Sequence, residues 1–262
     1  MDFVTLKDQL DPYFDNLDHI VNEMIRPKVR GHQFKLFDAC RFKIKYVWYI
    51  QKRIDELDKQ YREFLLLCIA RNSIEKLSLT QIEEFGADYF FYFPFFEGIE
   101  FKNLLAQGKA CLDLFAKGIG SIYRSDSLPK NIMNLIKILK RRSGDQKVDR
   151  ILKYIYYEHK IQGVVVDPVN EGQKALRDLV VHSGRTDIFF SIKRDEKRNY
   201  NLSKGALVNM RNPQSSTLSN YPVTEIAAKV WLLILGIIEN CFKIQFEDNF
   251  EAPFAAGRDR FY

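Results

Sequence analysis

Apolar residues recur at steps of three and four from the first residues onward. Phe3, Leu6, Leu10, Phe14, Leu17, Ile20, Val21 and Met24 trace one helical face and predict a helix over residues 2–25, ended by Pro27 and Gly31. From Gln33 a longer stripe runs through Leu36, Cys40, Ile44, Val47, Gln51, Ile54, Leu57, Tyr61, Leu65 and Cys68 without Pro or Gly. At 1.5 Å per residue, a helix of about 38 residues is about 57 Å long. A stripe of that length needs long partners to cover it, which points to a helical bundle.

The remaining pattern supplies those partners. Residues 79–93 read as a shorter helix running into the aromatic cluster Tyr89–Phe96, broken at Pro94. Ile99, Leu104, Leu105, Cys111, Leu112, Phe115, Ile119 and Ile122 resume the helical spacing over 99–123, with Gly108, Gly118 and Gly120 as places of close approach. Two basic helices, 128–142 and 146–160, part at Ser143-Gly144. Asp167-Pro168 signals a helix start, an N-cap acceptor followed by Pro at the first helical position, and Ser183-Gly184 a stop after His182. Residues 187–193 and 200–208 are β-branched and aromatic around a charged tip, the mark of a small exposed hairpin. A polar loop, 212–219, leads to a last apolar helix over 224–242. The predicted class is mainly α: an up-down bundle of long antiparallel helices with a hairpin inserted before the last one. Residues 1–96 form the N-terminal helices, 97–245 the bundle and 246–262 a tail.

Composition narrows the class without changing it. With 46% hydrophobic and 28% charged residues the chain is neither disordered nor collagen-like, and 13 Gly and 8 Pro are too few for a sandwich of short strands. The four cysteines lie far apart in apolar helical contexts and read as buried thiols in a reducing compartment. The acidic, amphipathic first residues are unlike a secretory signal, and the most apolar run, 230–238, is too short to cross a bilayer. A cytoplasmic protein without membrane contact is expected. The net charge of +6 is concentrated: residues 124–160 carry ten Lys and Arg against four acids, which alone accounts for the whole excess. Such a field suits an anionic ligand, or simply a solvated helix face.

No nucleotide-binding glycine loop, zinc spacing or nucleophile elbow is present. The candidate that remains is Arg177-Asp178-Leu179-Val180-Val181-His182. On an α-helix with Arg177 at 0°, Asp178 falls at about 100° and His182 at about 140°, while Leu176, Leu179 and Val180 face the core side. Val181 falls inside the polar arc, where an apolar residue would suit a second molecule.

An Arg followed a few residues on by His, late on a bundle helix and ahead of the last helix, resembles the HEPN superfamily. The resemblance covers residues 97–245 in architecture and only the short motif in sequence. It departs from the family pattern in Asp178, where an amide is common, and in the long 33–71 helix. It implies an up-down bundle that dimerises through its motif helices, forming a composite, metal-independent ribonuclease site of the kind found in toxins and phage-defence effectors. Some members are inactive binding modules. In such a site Arg177 would stabilise charge on phosphorus, His182 would move the proton of the 2′-hydroxyl, and Asp178 would hold the imidazole. RNA would lie along Lys140, Arg141, Arg142, Lys193, Arg194, Lys197 and Arg198, with no metal and no cofactor. The alternatives are a non-catalytic nucleotide- or RNA-binding module and a toxin-like bundle neutralised by an antitoxin protein. An ordinary surface Arg-Asp pair with a His favoured by the helix dipole is the plainest reading of the motif.

Overall fold

The long apolar stripe becomes α1, Gly31–Ala70, a single helix of 40 residues. It stands in a computed structural model that describes residues 14–71, 89–91, 95–123, 127–158, 175–182, 186–196, 200–202, 205–209, 222–248 and 250. The helical turns over 14–19 pass into a π-wound turn, Ile20–Ile25, and a 3-10 turn, Arg26–Lys28, where Pro27 sits in the first positions. Residues 2–13 of the expected first helix lie outside the described residues. α2 covers Phe95–Ile122 and starts just past Pro94. α3, Ile132–Lys140, is capped by the Asn131 side chain accepting from the Asn134 N–H. α4, Gln146–Leu152, is capped by Asp145 and runs on as a π-wound turn, Lys153–Glu158. Between them Gly144 takes a φ of 105°, a conformation that favours glycine. α5, Val223–Phe246, extends the expected last helix at its C-terminal end. The described fold is mainly helical.

Two corrections concern strands. The aromatic run expected to close a helix contributes instead β1, Tyr89–Phe91. Nor is there a small two-stranded hairpin: β2, Thr186–Arg194, is the centre of a four-stranded antiparallel sheet. β1 pairs with it at Tyr89↔Ile192 and Phe91↔Phe190. The expected strand 200–208 is split into β3, Tyr200–Leu202, and β4, Ala206–Asn209, which pair with opposite ends of β2. Burial explains both differences. Ile188, Phe190 and Ile192 alternate along β2 and are buried, so this strand has a core face of its own.

The described residues divide into two compact units that interleave along the chain. The first takes residues up to 48, then 107–158 and 231–250; the second takes 49–106 and 175–230. Each draws on residues both before and after position 97.

The first unit is a helical bundle around aromatic contacts. Phe14 meets Trp48 edge-on at 6.3 Å and Trp231 at 6.1 Å. Phe37 lies 5.1 Å from Phe242, which also meets Phe115 at 5.8 Å. The Cys40 and Cys111 sulfurs stand 3.9 Å apart as free thiols, and burial pushes the Cys40 thiol well up. All four cysteines are buried, as their apolar contexts suggest. Two glycines of α2 have a steric reason. A Cβ on Gly118 would stand 3.1 Å from the Phe37 ring, and one on Gly120 only 2.4 Å from Cδ of Pro129. Gly120→Ala should therefore cost about 1–3 kcal/mol of overpacking, more than the roughly 1 kcal/mol that alanine returns in helix propensity. Gly236 of α5 has nothing within 4 Å of its Cβ position, so Gly236→Ala should stabilise instead. Urea midpoints of the two variants check the opposite signs.

In the second unit, Leu65 and Cys68 of α1 pack against Phe190 and Ile192 of β2, with Tyr61, Ile69 and Leu202 at the margin. Tyr61 and Phe190 hold their rings 6.1 Å apart. Among the described residues no helix is long and apolar enough to cross a membrane.

Candidate functional site

The Arg-x4-His motif lies in the second unit, just ahead of β2. Ala175, Leu176 and Val180 are buried and anchor its inner side. Arg177 and Asp178 are half-buried neighbours, and the Arg177 Nη1 reaches Asp178 Oδ1 at 2.9 Å. The carboxylate that the sequence assigns to the imidazole is thus engaged with the guanidinium.

The winding of the motif differs from an α-helix. Asp178–His182 forms a π turn, and this turn packs against β2. In π winding the hydrogen bonds run from residue i to i+5, a wider turn than the i to i+4 of the α-helix. Positions 177 and 182 are about 140° apart on the α-helical wheel, and the wider turn that begins at Asp178 brings them closer around the axis. The backbone of His182 is described; its side chain lies outside the described residues.

The basic residues sort into separate places. Lys140, Arg141 and Arg142 are exposed at the C-terminal end of α3, where cations complement the helix dipole. Arg142 also lies over the Tyr123 ring, 5.7 Å from its centroid. Tyr123 donates to Gln245 Oε1 at 2.5 Å, and burial with the charge of Asp145 pushes its phenol up to about 12. Lys147 is committed to structure, donating to Asp248 Oδ1 at 2.8 Å and to the Gln245 carbonyl. That contact holds the Asp248 carboxyl below its ordinary value. Lys193 and Arg194 lie on β2 in the other unit, opposite Asn201 and Tyr200. Lys197 and Arg198 fall outside the described residues.

The sequence reading missed two groups. The first is a cavity of about 540 Å³ in the helical unit, lined by Lys28, Arg30, His32, Gln33, Ser121 and Phe246 among others, with no carboxylate among its lining residues. The Lys28 Nζ donates to the Phe246 carbonyl, and the Gln33 amide donates to the Ser121 carbonyl. Its sequence signal is the basic run across the break at Pro27 and Gly31.

The second group is acidic. Glu97, in the first turn of α2, has no exposed surface, and neither of its carboxyl oxygens has a hydrogen-bond partner. Burial pushes its pKa up to about 8, helped by the charges of Asp58 and Asp55 on α1. Asp55 is itself raised by burial although it accepts a hydrogen bond from the Gln51 amide. Gln51 lies on the apolar stripe of α1 and Asp58 seven residues further on, both buried, where a polar residue needs a reason. Among the described residues no three His, Cys, Asp or Glu are arranged to hold a metal ion.

Comparison of the chain with protein-family models, with curated proteins and with solved structures gives no match.

Proposed function

We propose that the chain is a metal-independent endoribonuclease of HEPN-like type, a dimer that cuts RNA at Arg177 and His182. The observation that supports this reading is the π turn ahead of β2, whose wider winding brings the position of the cation and the position of the imidazole closer around the axis. The bundle would be of the up-down kind, with residues 187–208 inserted before its last helix and the motif turns meeting across the dimer axis. In this reading His182 takes the proton of the 2′-hydroxyl, whose oxygen attacks the adjacent phosphorus. The 5′-oxygen leaves with a proton, and the product ends in a 2′,3′-cyclic phosphate. Arg177 turns its planar fork from Asp178 to the phosphate as negative charge builds there. Asp178 holds the guanidinium in readiness before RNA arrives. Lys140, Arg141, Arg142, Lys193 and Arg194, with Lys197 and Arg198, would neutralise the RNA backbone. A toxin-like role with an antitoxin partner in the cytoplasm is the setting such an activity fits. End-labelled single-stranded RNA incubated with the purified chain in the presence of a chelator tests it. Fragments are expected, and intact RNA after prolonged incubation counts against catalysis.

A second reading, a non-catalytic nucleotide-binding module, draws on the cavity at the start of α1. Three basic side chains around a pocket of ligand size, with no acid among the lining residues, suit a phosphate-bearing small molecule. Calorimetric titration with a nucleoside monophosphate should give binding that Arg30→Ala weakens by about tenfold, the loss of one charge-assisted contact. Equal affinity in both proteins removes this reading.

A further inference from the structure

A buried carboxyl without a hydrogen-bond partner is costly to keep ionised, so the surroundings of Glu97 decide what its proton does. Those surroundings centre on Gly205, the residue just ahead of β4. Its N–H donates to Asp58 Oδ1 at 3.3 Å, and its carbonyl accepts from the Val223 N–H at 2.9 Å, at the start of α5. A Cβ on Gly205 would stand 3.4 Å from Glu97 Oε1, 3.0 Å from Ile188 and 3.4 Å from the Phe190 ring. Gly205 therefore lies directly against the Glu97 carboxyl, and the missing side chain is what permits the approach.

Among the described residues, the charges that act on this carboxyl are of one sign. From α1 come Asp58 and Asp55; the nearby cations are already committed, Lys52 to Asp55 at 3.8 Å and Arg53 to Glu56 and Glu100, each at 3.9 Å. From its own helix α2 the described neighbour is Glu100, held by Arg53. Gly205 itself and the β2 residues Ile188 and Phe190 carry no ionisable side chain. An ionised Glu97 would face the like charges of Asp58 and Asp55 with no donor among the described residues, and it would repel the carboxylate that anchors the Gly205 amide.

We propose that Glu97 is a proton-operated latch. Neutral, it lets Gly205 lie against the Glu97 carboxyl with its N–H on Asp58; ionised, it draws in water and releases Gly205, and with it β4 at the edge of the sheet. Physiological shifts in proton concentration would then be read out as ordering or loosening of β2, the strand on which the Asp178–His182 turn packs. The latch does not depend on RNA cleavage and stands or falls separately from it.

Amide hydrogen exchange at Gly205 and Val223, corrected for the intrinsic dependence of exchange on hydroxide, measures the latch directly. Between one pH unit below and one above the Glu97 pKa of about 8, protection in the parent should fall about tenfold, and in Glu97→Gln it should stay level. Asp55→Asn provides a second variant at a partly exposed position: removing one like charge should move the midpoint of the fall to lower pH. Protection that stays level in the parent, falls equally in Glu97→Gln, or keeps its midpoint in Asp55→Asn would overturn the proposal.

Discussion

Glu97→Gln is expected to stabilise the protein at pH 8 by on the order of 4 kcal/mol and to change it little near pH 4. The sign follows from linkage. The folded carboxyl holds its proton up to about pH 8, while in the unfolded chain it ionises from its ordinary value of 4.5. Below about pH 4.5 both states are neutral and the group contributes nothing. Between the two values the unfolded state releases a proton that the folded state keeps, so stability falls as pH rises. Above about 8 both are ionised and the deficit is constant, at roughly 1.4 kcal/mol for each unit of difference. Glutamine has the same shape and no charge to lose, and its amide brings donors toward Asp55 and Asp58, the carboxylates that press on Glu97. Urea unfolding of parent and variant across pH 4 to 9 reads the difference. Parallel curves would mean that Glu97 does not ionise where its burial requires.

The motif carries the second large effect. Arg177→Ala and His182→Ala should each lower RNA cleavage by about two to four orders of magnitude while leaving folding nearly intact. Arg177 contributes a partly exposed ion pair with its neighbour, worth about 1 kcal/mol or less to stability. Arg177→Lys keeps a cation but loses the planar fork, so it should recover only a small part of the rate. Asp178→Asn is informative because it frees the guanidinium. If Asp178 holds Arg177 in position, the variant loses rate mainly at subsaturating RNA; if Asp178 orients His182, the pH profile moves instead.

What the sequence made legible was local. The three-and-four spacing from Leu36 to Cys68 located α1, whereas the basic helix expected from residue 128 starts only at Ile132, after the Asn131 cap. Trp48 and Trp231 lie on apolar stripes and are buried. What escaped depends on contacts distant in the chain. Tyr89–Phe91 follows a helical-looking stretch, and only pairing with β2, a hundred residues later, makes it a strand. The run 200–208 looks continuous, yet the hydrogen bond from Gly205 to Asp58 falls where the strand divides. A wheel drawn at 100° per residue assumes α winding, so the π turn over Asp178–His182 was invisible to it. The acidic group was half legible: Gln51 and Asp58 interrupt an apolar stripe, but nothing local brings Glu97 to them. Charge summed along 124–160 likewise hid that Lys147 is spent on Asp248 while Lys140, Arg141 and Arg142 stay exposed.

If His182 and Arg177 promote attack by the RNA's own 2′-hydroxyl, as proposed, the new 3′ end of the product records it. Mass analysis of fragments made in the presence of a chelator should find a 2′,3′-cyclic phosphate, and a substrate carrying a single 2′-deoxy nucleotide before the cut should stay whole. A 3′-hydroxyl product, or cutting at the deoxy position, would mean that water attacks instead and would contradict the mechanism.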